Sequence, residues 1–163
     1  MVIEPGGVHS TPIVVKDRLI AAVGGTGCGV VAFDLKTGAV GWQKHDLGTK
    51  GMGLYASPIL INVAGEEQLV LASETDVLGL DPAGGDIRWS LPHANEGKIN
   101  VPTPHWSEDG LLCVSTGGQG GTRGLKLEKV NGKVVPKQVW ENSKMGVSVG
   151  NVVRDGDFLY GSS

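Results

Sequence analysis

The amino-acid sequence predicts an all-β protein made of repeated four-stranded antiparallel units, and three observations carry that expectation. The stretch DLKTGAVGW at residues 34–42 returns as DPAGGDIRW at 81–89, with Asp, Gly and Trp at equal spacing and 47 residues between the copies. An independent marker, Thr11-Pro12-Ile13, returns as Ser57-Pro58-Ile59 after 46 residues, and a further 46 lead to Thr103-Pro104. Finally, 27 Gly and 8 Pro among 163 residues divide the chain into short segments, as strands joined by turns require. No segment sustains the 3.6-residue apolar period of a helix.

The first unit reads as strands Thr11–Val15, Leu19–Val23, Val30–Asp34 and Val40–Lys44. Turns at Lys16-Asp17, Gly24–Gly29 and Lys36–Gly38 carry hairpin chemistry. The second unit repeats this as Pro58–Asn62, Gln68–Ala72, Val77–Asp81 and Ile87–Ser90. In the third, Glu128 replaces the Asp, Gly132 follows four residues on, and Trp140 comes eight later. The inserted KVVP at 133–136 is expected to lengthen that turn, giving a step of 51 residues from Trp89 to Trp140. A fourth unit starts at VSVGNVV and reaches only LYGSS. The second strand of each unit ends in small residues (Gly24-Gly25, Ala72-Ser73, Ser115-Thr116, Gly161-Ser162), which suits crowding near a central axis. Residues 1–163 therefore read as one array, with units at about 9–47, 54–93 and 100–142 and half a unit at 146–163. Repeated four-stranded antiparallel units of about 40–50 residues are the pattern of β-propeller blades. The expectation is a partial propeller of about three and a half blades.

The Asp–Gly–Trp spacing then has a mechanical reading. Asp ends a strand and accepts hydrogen bonds within its own turn, where Gly supplies a positive φ cheaply. Trp, at a set distance into the outer strand, packs over the turn glycine of an adjoining blade. One copy per blade is not how a single catalytic centre is built. The pattern Asp-x-x-Thr-Gly-x-x-x-Trp resembles the tryptophan-docking motif of PQQ-like, quinoprotein-type propeller repeats, and the resemblance covers nearly the whole chain. That superfamily includes pyrroloquinoline-quinone (PQQ) alcohol and glucose dehydrogenases and the outer-membrane assembly lipoprotein of the β-barrel machinery. It also includes exported repeat proteins without established activity, to which GNVVRDGDFLYGSS is most similar. The resemblance implies a periplasmic or otherwise extracytoplasmic location.

Composition excludes several function classes. A net charge of −3 gives no footprint for nucleic acid or an anionic membrane. There is no apolar run of 18 residues to span a bilayer, and MVIEPGGVHS carries no signal-peptide pattern. Cys113, in GLLCVS, is expected to be a buried, inert thiol, and Cys28 lies between glycines with no His or Lys beside it. The resemblance implies what a quinone enzyme would need: adjacent cysteines over the cofactor, a Trp beneath it and an acidic base beside calcium. The chain has no Cys-Cys pair, and Trp42, Trp89 and Trp140 belong to the repeated motif. Trp106 reads either as a stacking platform or as packing within blade three. Asp76, Glu108 and Asp109 fall in expected turns as solvated carboxylates. The glycine clusters GGTGCG and GGQGGTRG lack the phosphate-loop spacing and a following helix. His9, His45, His93 and His105 show no ligand spacing, and no G-x-S-x-G is present. No catalytic, cofactor-binding or metal-ligating residue is assigned.

Complete propellers have 4–8 blades, so an array of this length cannot close. The expectation is a piece of a longer exported protein, serving as a non-enzymatic scaffold or binding module. Its partners would be other proteins, or further copies associating through open blade edges. The alternative is part of a PQQ-dependent dehydrogenase whose quinone and calcium site lies in other blades.

Overall fold

Fourteen strands form four antiparallel sheets in the computed structural model, which describes residues 9–23, 29–45, 47, 54–93, 95–97 and 99–162. There is no helix among these residues. The first blade runs β1 (Ile13–Val15), β2 (Arg18–Ala22), β3 (Val30–Asp34) and β4 (Val40–Lys44), hydrogen-bonded in chain order. The second runs β5 (Ile59–Val63), β6 (Glu66–Ala72), β7 (Asp76–Leu80) and β8 (Ile87–Pro92). The third runs β9 (His105–Trp106), β10 (Leu111–Thr116), β11 (Gly121–Val130) and β12 (Lys133–Asn142). A two-stranded sheet of β13 (Val153–Asp155) and β14 (Phe158–Tyr160) completes a partial propeller of three blades and a half. Residues 24–28, with Cys28 and most of the first glycine cluster, and residues 1–8 lie outside the described residues.

The strand period of two sorts each blade's side chains between its neighbours. In β6 and β7, Leu69, Leu71, Leu78 and Leu80 join Ile20, Ala22, Val30 and Ala32 of the first blade in one core cluster. The alternating residues Val70, Ala72 and Val77 join Leu112, Val114, Leu125 and Val134 of the third blade in another. The middle blade is thus buried on both faces, which is why the second half of β6, Leu69–Ala72, is a continuous apolar run.

The third hairpin departs from the expected turn. The KVVP residues do not lengthen it; they lie in β12, which pairs with β11 from Val130↔Lys133 to Thr122↔Asn142 around a two-residue turn. That turn is Asn131-Gly132, both at positive φ (50° and 79°). Asn-Gly favours the tight turn whose twist matches its flanking strands, so the strands grow and the loop does not. Glu128 accordingly pairs with Val135 within the ladder and is no counterpart of the turn aspartates.

Candidate functional site: the seams between blades

The first two β3–β4-type turns are built alike. Asp34 Oδ1 accepts from the Lys36 and Thr37 amides at 3.1 and 2.8 Å and from the Thr37 hydroxyl at 2.7 Å. These bonds, the hydroxyl's foremost, hold its carboxyl below the usual range. Asp81 accepts from the Ala83 amide at 3.1 Å. Gly38 and Gly85 follow at φ 71° and 74° and donate back to the Asp34 and Asp81 carbonyls at 2.9 and 2.7 Å. Each four-stranded blade then carries a register shift on the outer strand just before its Trp, opposite Ala32/Phe33, Gly79/Leu80 and Gly124/Leu125. A bulge there swings the following side chain out of simple alternation.

The rings land differently. Trp42 lies against Gly85 of the next blade, where an added Cβ would come within 2.6 Å of the ring. Its Nε1 donates to the Pro82 carbonyl at 3.2 Å. Trp89 does not reach the following turn, since Gly132 has nothing within 4 Å of an added Cβ. Instead it lies flat on Gly79 of its own blade, 2.1 Å from an added Cβ, donates to Gln68 Oε1 at 2.6 Å, and packs with Leu125 and Val134. Trp140 covers Gly124 in the same way, at 2.1 Å. The expectation that each Trp reaches the adjoining turn glycine therefore holds for Trp42 and fails for Trp89, because the long β11–β12 hairpin carries Gly132 beyond its reach; the half blade that follows Trp140 has no equivalent turn among the described residues.

The second sequence marker forms a ladder between blades. The Thr11 amide donates to Ser57 Oγ at 2.9 Å, the Ser57 amide to Thr103 Oγ1 at 3.3 Å, and the Thr103 amide to Asn151 Oδ1 at 2.9 Å. Each step joins equivalent residues 46, 46 and 48 apart. Asn151 is the fourth marker; it escapes a hydroxyl pattern because an amide oxygen serves as acceptor equally well.

Charged pairs line the turn end of the seams. An open groove of about 620 Å³ between the first two blades is bordered by Lys16, Arg18, Glu66, Glu67, Asp81 and Arg88. Lys16 pairs with Glu67 at 2.9 Å, Arg88 with Asp81 at 3.1 Å, and Arg18 donates to the Ala83 carbonyl at 2.7 Å. Lys44 reaches Asp86 at 2.6 Å, and Lys129 of the third blade pairs with Glu66 of the second. A second groove, about 450 Å³, lies between the third blade and the half blade beside Trp106 and Asp109. Arg154 spans it to Asp109 at 2.8 Å, and that contact holds the Asp109 carboxyl low.

The remaining sequence candidates separate. Trp106 is half-buried; it packs against the cluster between blades two and three and also borders the second groove. Asp76 is half-buried at the start of β7 and accepts from the Thr75 hydroxyl at 2.5 Å, so it is not a solvated turn carboxylate. Asp109 is held by Arg154, and Glu108 is exposed. His9 stacks on Tyr55 with centroids 4.9 Å apart, His45 is exposed, and His105 faces Cys113 across β9–β10. Cys113 is 1% exposed, and burial pushes its thiol up to about 11. Among the described residues no three His, Cys, Asp or Glu side chains converge to hold a metal ion. The cluster GGQGGTRG is the β10–β11 turn and the start of β11.

Sequence reasoning weighed His93 only by its spacing and missed its burial. It is 1% exposed, with neither ring nitrogen hydrogen-bonded, at the seam with the third blade. Burial, helped by the nearby Arg123, lowers its pKa from 6.5 to about 4, against the Ser115 backbone and Glu141. Asn100 ties the same corner together by donating to the Ser73 and His93 carbonyls at 2.6 and 2.8 Å.

The sequence profile of the family described as outer membrane protein assembly factor BamB matches residues 4–163. The chain belongs to the BamB family. The solved BamB from Moraxella catarrhalis is similar at a TM-score of 0.59 and 15% identity, over 86% of this chain and 41% of that one. The quinohemoprotein alcohol dehydrogenase from Comamonas testosteroni is similar at 0.51 and 20% identity, over 81% of this chain and 21% of that one. The chain thus spans less than half the length of either, and the likeness is one of fold. A comparison with curated proteins gave no match. Trp42, Trp89 and Trp140 already lie on glycines, Trp106 packs in a core cluster, and Cys113 is sealed within its sheet.

Proposed function

We propose that this chain is a non-enzymatic propeller scaffold that binds protein partners outside the cytoplasm, as part of a longer exported protein. The observation that carries this reading is the ring-on-glycine contact made in all three four-stranded blades. It assigns Trp42, Trp89 and Trp140 to coupling and stiffening the blades, a mechanical task. With the indoles spent on packing, the outward chemistry is paired charges at the seams and scattered exposed apolar residues such as Ile87 and Val139. Such a rigid, mixed surface suits recognition of proteins. The family's description, outer membrane protein assembly factor, supports protein partners from that assembly and, with them, a periplasmic location.

Two measurements test this. In the full-length protein, photocrosslinkers at Ile87 and Val139 should give adducts with outer-membrane assembly proteins in the cell envelope, and silence at both positions would remove the support. Titration of the chain with PQQ and calcium, followed by Trp fluorescence, should show no saturable quench. A stoichiometric transition at micromolar quinone would favour the dehydrogenase alternative instead.

A further inference from the structure

Six asparagines occur in the chain, and five have their side-chain amides tied down. Asn62 Oδ1 accepts from the Gly65 amide at 2.9 Å, and Asn151 Oδ1 from the Thr103 amide at 2.9 Å. Asn95 donates to the Ile99 carbonyl, and Asn100 to the Ser73 and His93 carbonyls. Asn142 Oδ1 accepts from the Lys144 and Met145 amides at 3.0 and 3.3 Å. Asn131 is the exception: it is exposed, and its carboxamide has no hydrogen-bond partner among the described residues. It is also the only one of the six that is followed by glycine.

The next amide is free as well. The β11–β12 ladder ends at Val130↔Lys133, so the Gly132 nitrogen lies outside it, and an added Cβ at Gly132 would meet nothing within 4 Å. The hairpin also carries both residues away from the body of the blade. Beyond the pair at its Trp, the third blade continues for six residue pairs, from Leu125↔Gln138 to Val130↔Lys133. The first and second blades continue for one, Phe33↔Val40 and Leu80↔Ile87. A neighbouring blade of that ordinary height stops short of the tip, so the exposure of Asn131 does not depend on where the chain begins or ends.

We propose that Asn131 is a site of spontaneous covalent modification, in which its side chain closes on the Gly132 amide and reopens as isoaspartate or aspartate. The Gly132 nitrogen gives its proton to hydroxide and attacks Asn131 Cγ. The N–Cγ bond forms, the carboxamide C–N bond breaks, and ammonia leaves. Water then opens the cyclic imide. Cleavage at Cγ gives aspartate; cleavage at the main-chain carbonyl gives isoaspartate, with the backbone routed through Cβ and Cγ. Glycine permits the attack because no Cβ shields its nitrogen. The two-residue turn must open for the nitrogen to reach Cγ, so the reaction is slower than in the unfolded chain.

Isoaspartate adds a methylene to the main chain of a turn that joins β11 and β12 with only Asn131 and Gly132. The pairs nearest the turn, Val130↔Lys133 and Lys129↔Val134, are the first to be lost. Those residues reach across the seam: Lys129 pairs with Glu66, and Val134, 5% exposed, shares a core cluster with Trp89. Modification at the tip therefore loosens the grip of the third blade on the second. The inference is independent of the scaffold reading.

Peptide mapping by mass spectrometry tests it on the full-length protein, held folded for several weeks at mildly alkaline pH. The peptide holding Asn131 should lose its amide, in part as isoaspartate that an isoaspartyl methyltransferase labels, while the peptides holding the other five asparagines keep theirs. The rate should rise with pH, as cyclisation through a deprotonated amide requires. Asn131→Gly leaves both turn positions able to adopt a positive φ and should abolish the modification of that peptide. In the isoaspartyl form, amide hydrogen exchange over residues 130–134 should speed up. An Asn131 amide that survives the incubation, or earlier loss at Asn142, would overturn the inference. Unchanged exchange in the isoaspartyl form would overturn its coupling to the seam.

Discussion

The seam between the first and second blades and the seam between the second and third use one sequence motif in two ways. At the first, Trp42 leaves its own blade, lies on Gly85 of the neighbour and bonds the Pro82 carbonyl. At the second, Trp89 lies on Gly79 within its own blade, bonds its own Gln68, and shares a core cluster with Leu125 and Val134 of the neighbour. Two differences decide this. The residue across from Trp42 is Ala32, whereas a glycine lies across from Trp89 and leaves the ring room to lie flat. The neighbouring turn is also close at the first seam, and a hairpin of two ten-residue strands carries it away at the second. A motif spacing fixes where a ring starts; the partner blade decides where it rests.

The largest expected effect separates the two rings. Trp89 is 6% exposed, so Trp89→Ala should cost about 3–5 kcal/mol of unfolding free energy. Trp42, half-buried, should cost less on the same substitution. Equal losses in denaturant titrations would erase the distinction.

Next in size is an acid sensitivity confined to the second seam. His93 is held neutral by burial, with a folded pKa of about 4 against 6.5 when free. Below 6.5 the unfolded chain takes up a proton that the folded chain refuses. The contribution is therefore complete above that pH and is lost as pH falls towards 4. Over this window the loss amounts to about 3 kcal/mol. His93→Gln should flatten the acid limb of a stability–pH profile, and an unchanged limb would place the titration elsewhere.

The smallest test isolates the ring contact. Gly85 and Gly132 have nearly equal φ, 74° and 79°, but only Gly85 has a ring over it. Gly132→Ala should cost about 1–2 kcal/mol for the left-handed backbone alone. Gly85→Ala should cost about 1–3 kcal/mol more, since Trp42 must move. Equal melting shifts for the two variants would mean that the Trp42 contact contributes little.

The features legible in the sequence were those that recur with a residue type attached. The paired markers 46 and 47 residues apart gave the blades, and the Asp–Gly spacing gave the turn chemistry at Asp34 and Asp81. The ladder was visible as a repeat but not as a contact, because a period shows that residues are equivalent and not that they touch. The bulges before each Trp left no signature, since Gly41, Arg88 and Val139 share no chemistry. Asn131-Gly132 was a readable hairpin signal that the search for an Asp–Gly–Trp spacing obscured. His93 was invisible because its burial comes from the next blade, with Arg123 and Ser115 some 20–30 residues downstream.

The hydroxyl ladder bears on how such a chain reaches its fold. Each rung spans one repeat, so closing it costs the loop entropy of fewer than fifty residues, and no rung waits for a distant partner. Hairpins form locally, and each finished blade offers the amide donor against which the next blade's acceptor oxygen is measured. A chain emerging end-first from a narrow exit can therefore set its blades one after another, each locking to its predecessor before the following one has been made.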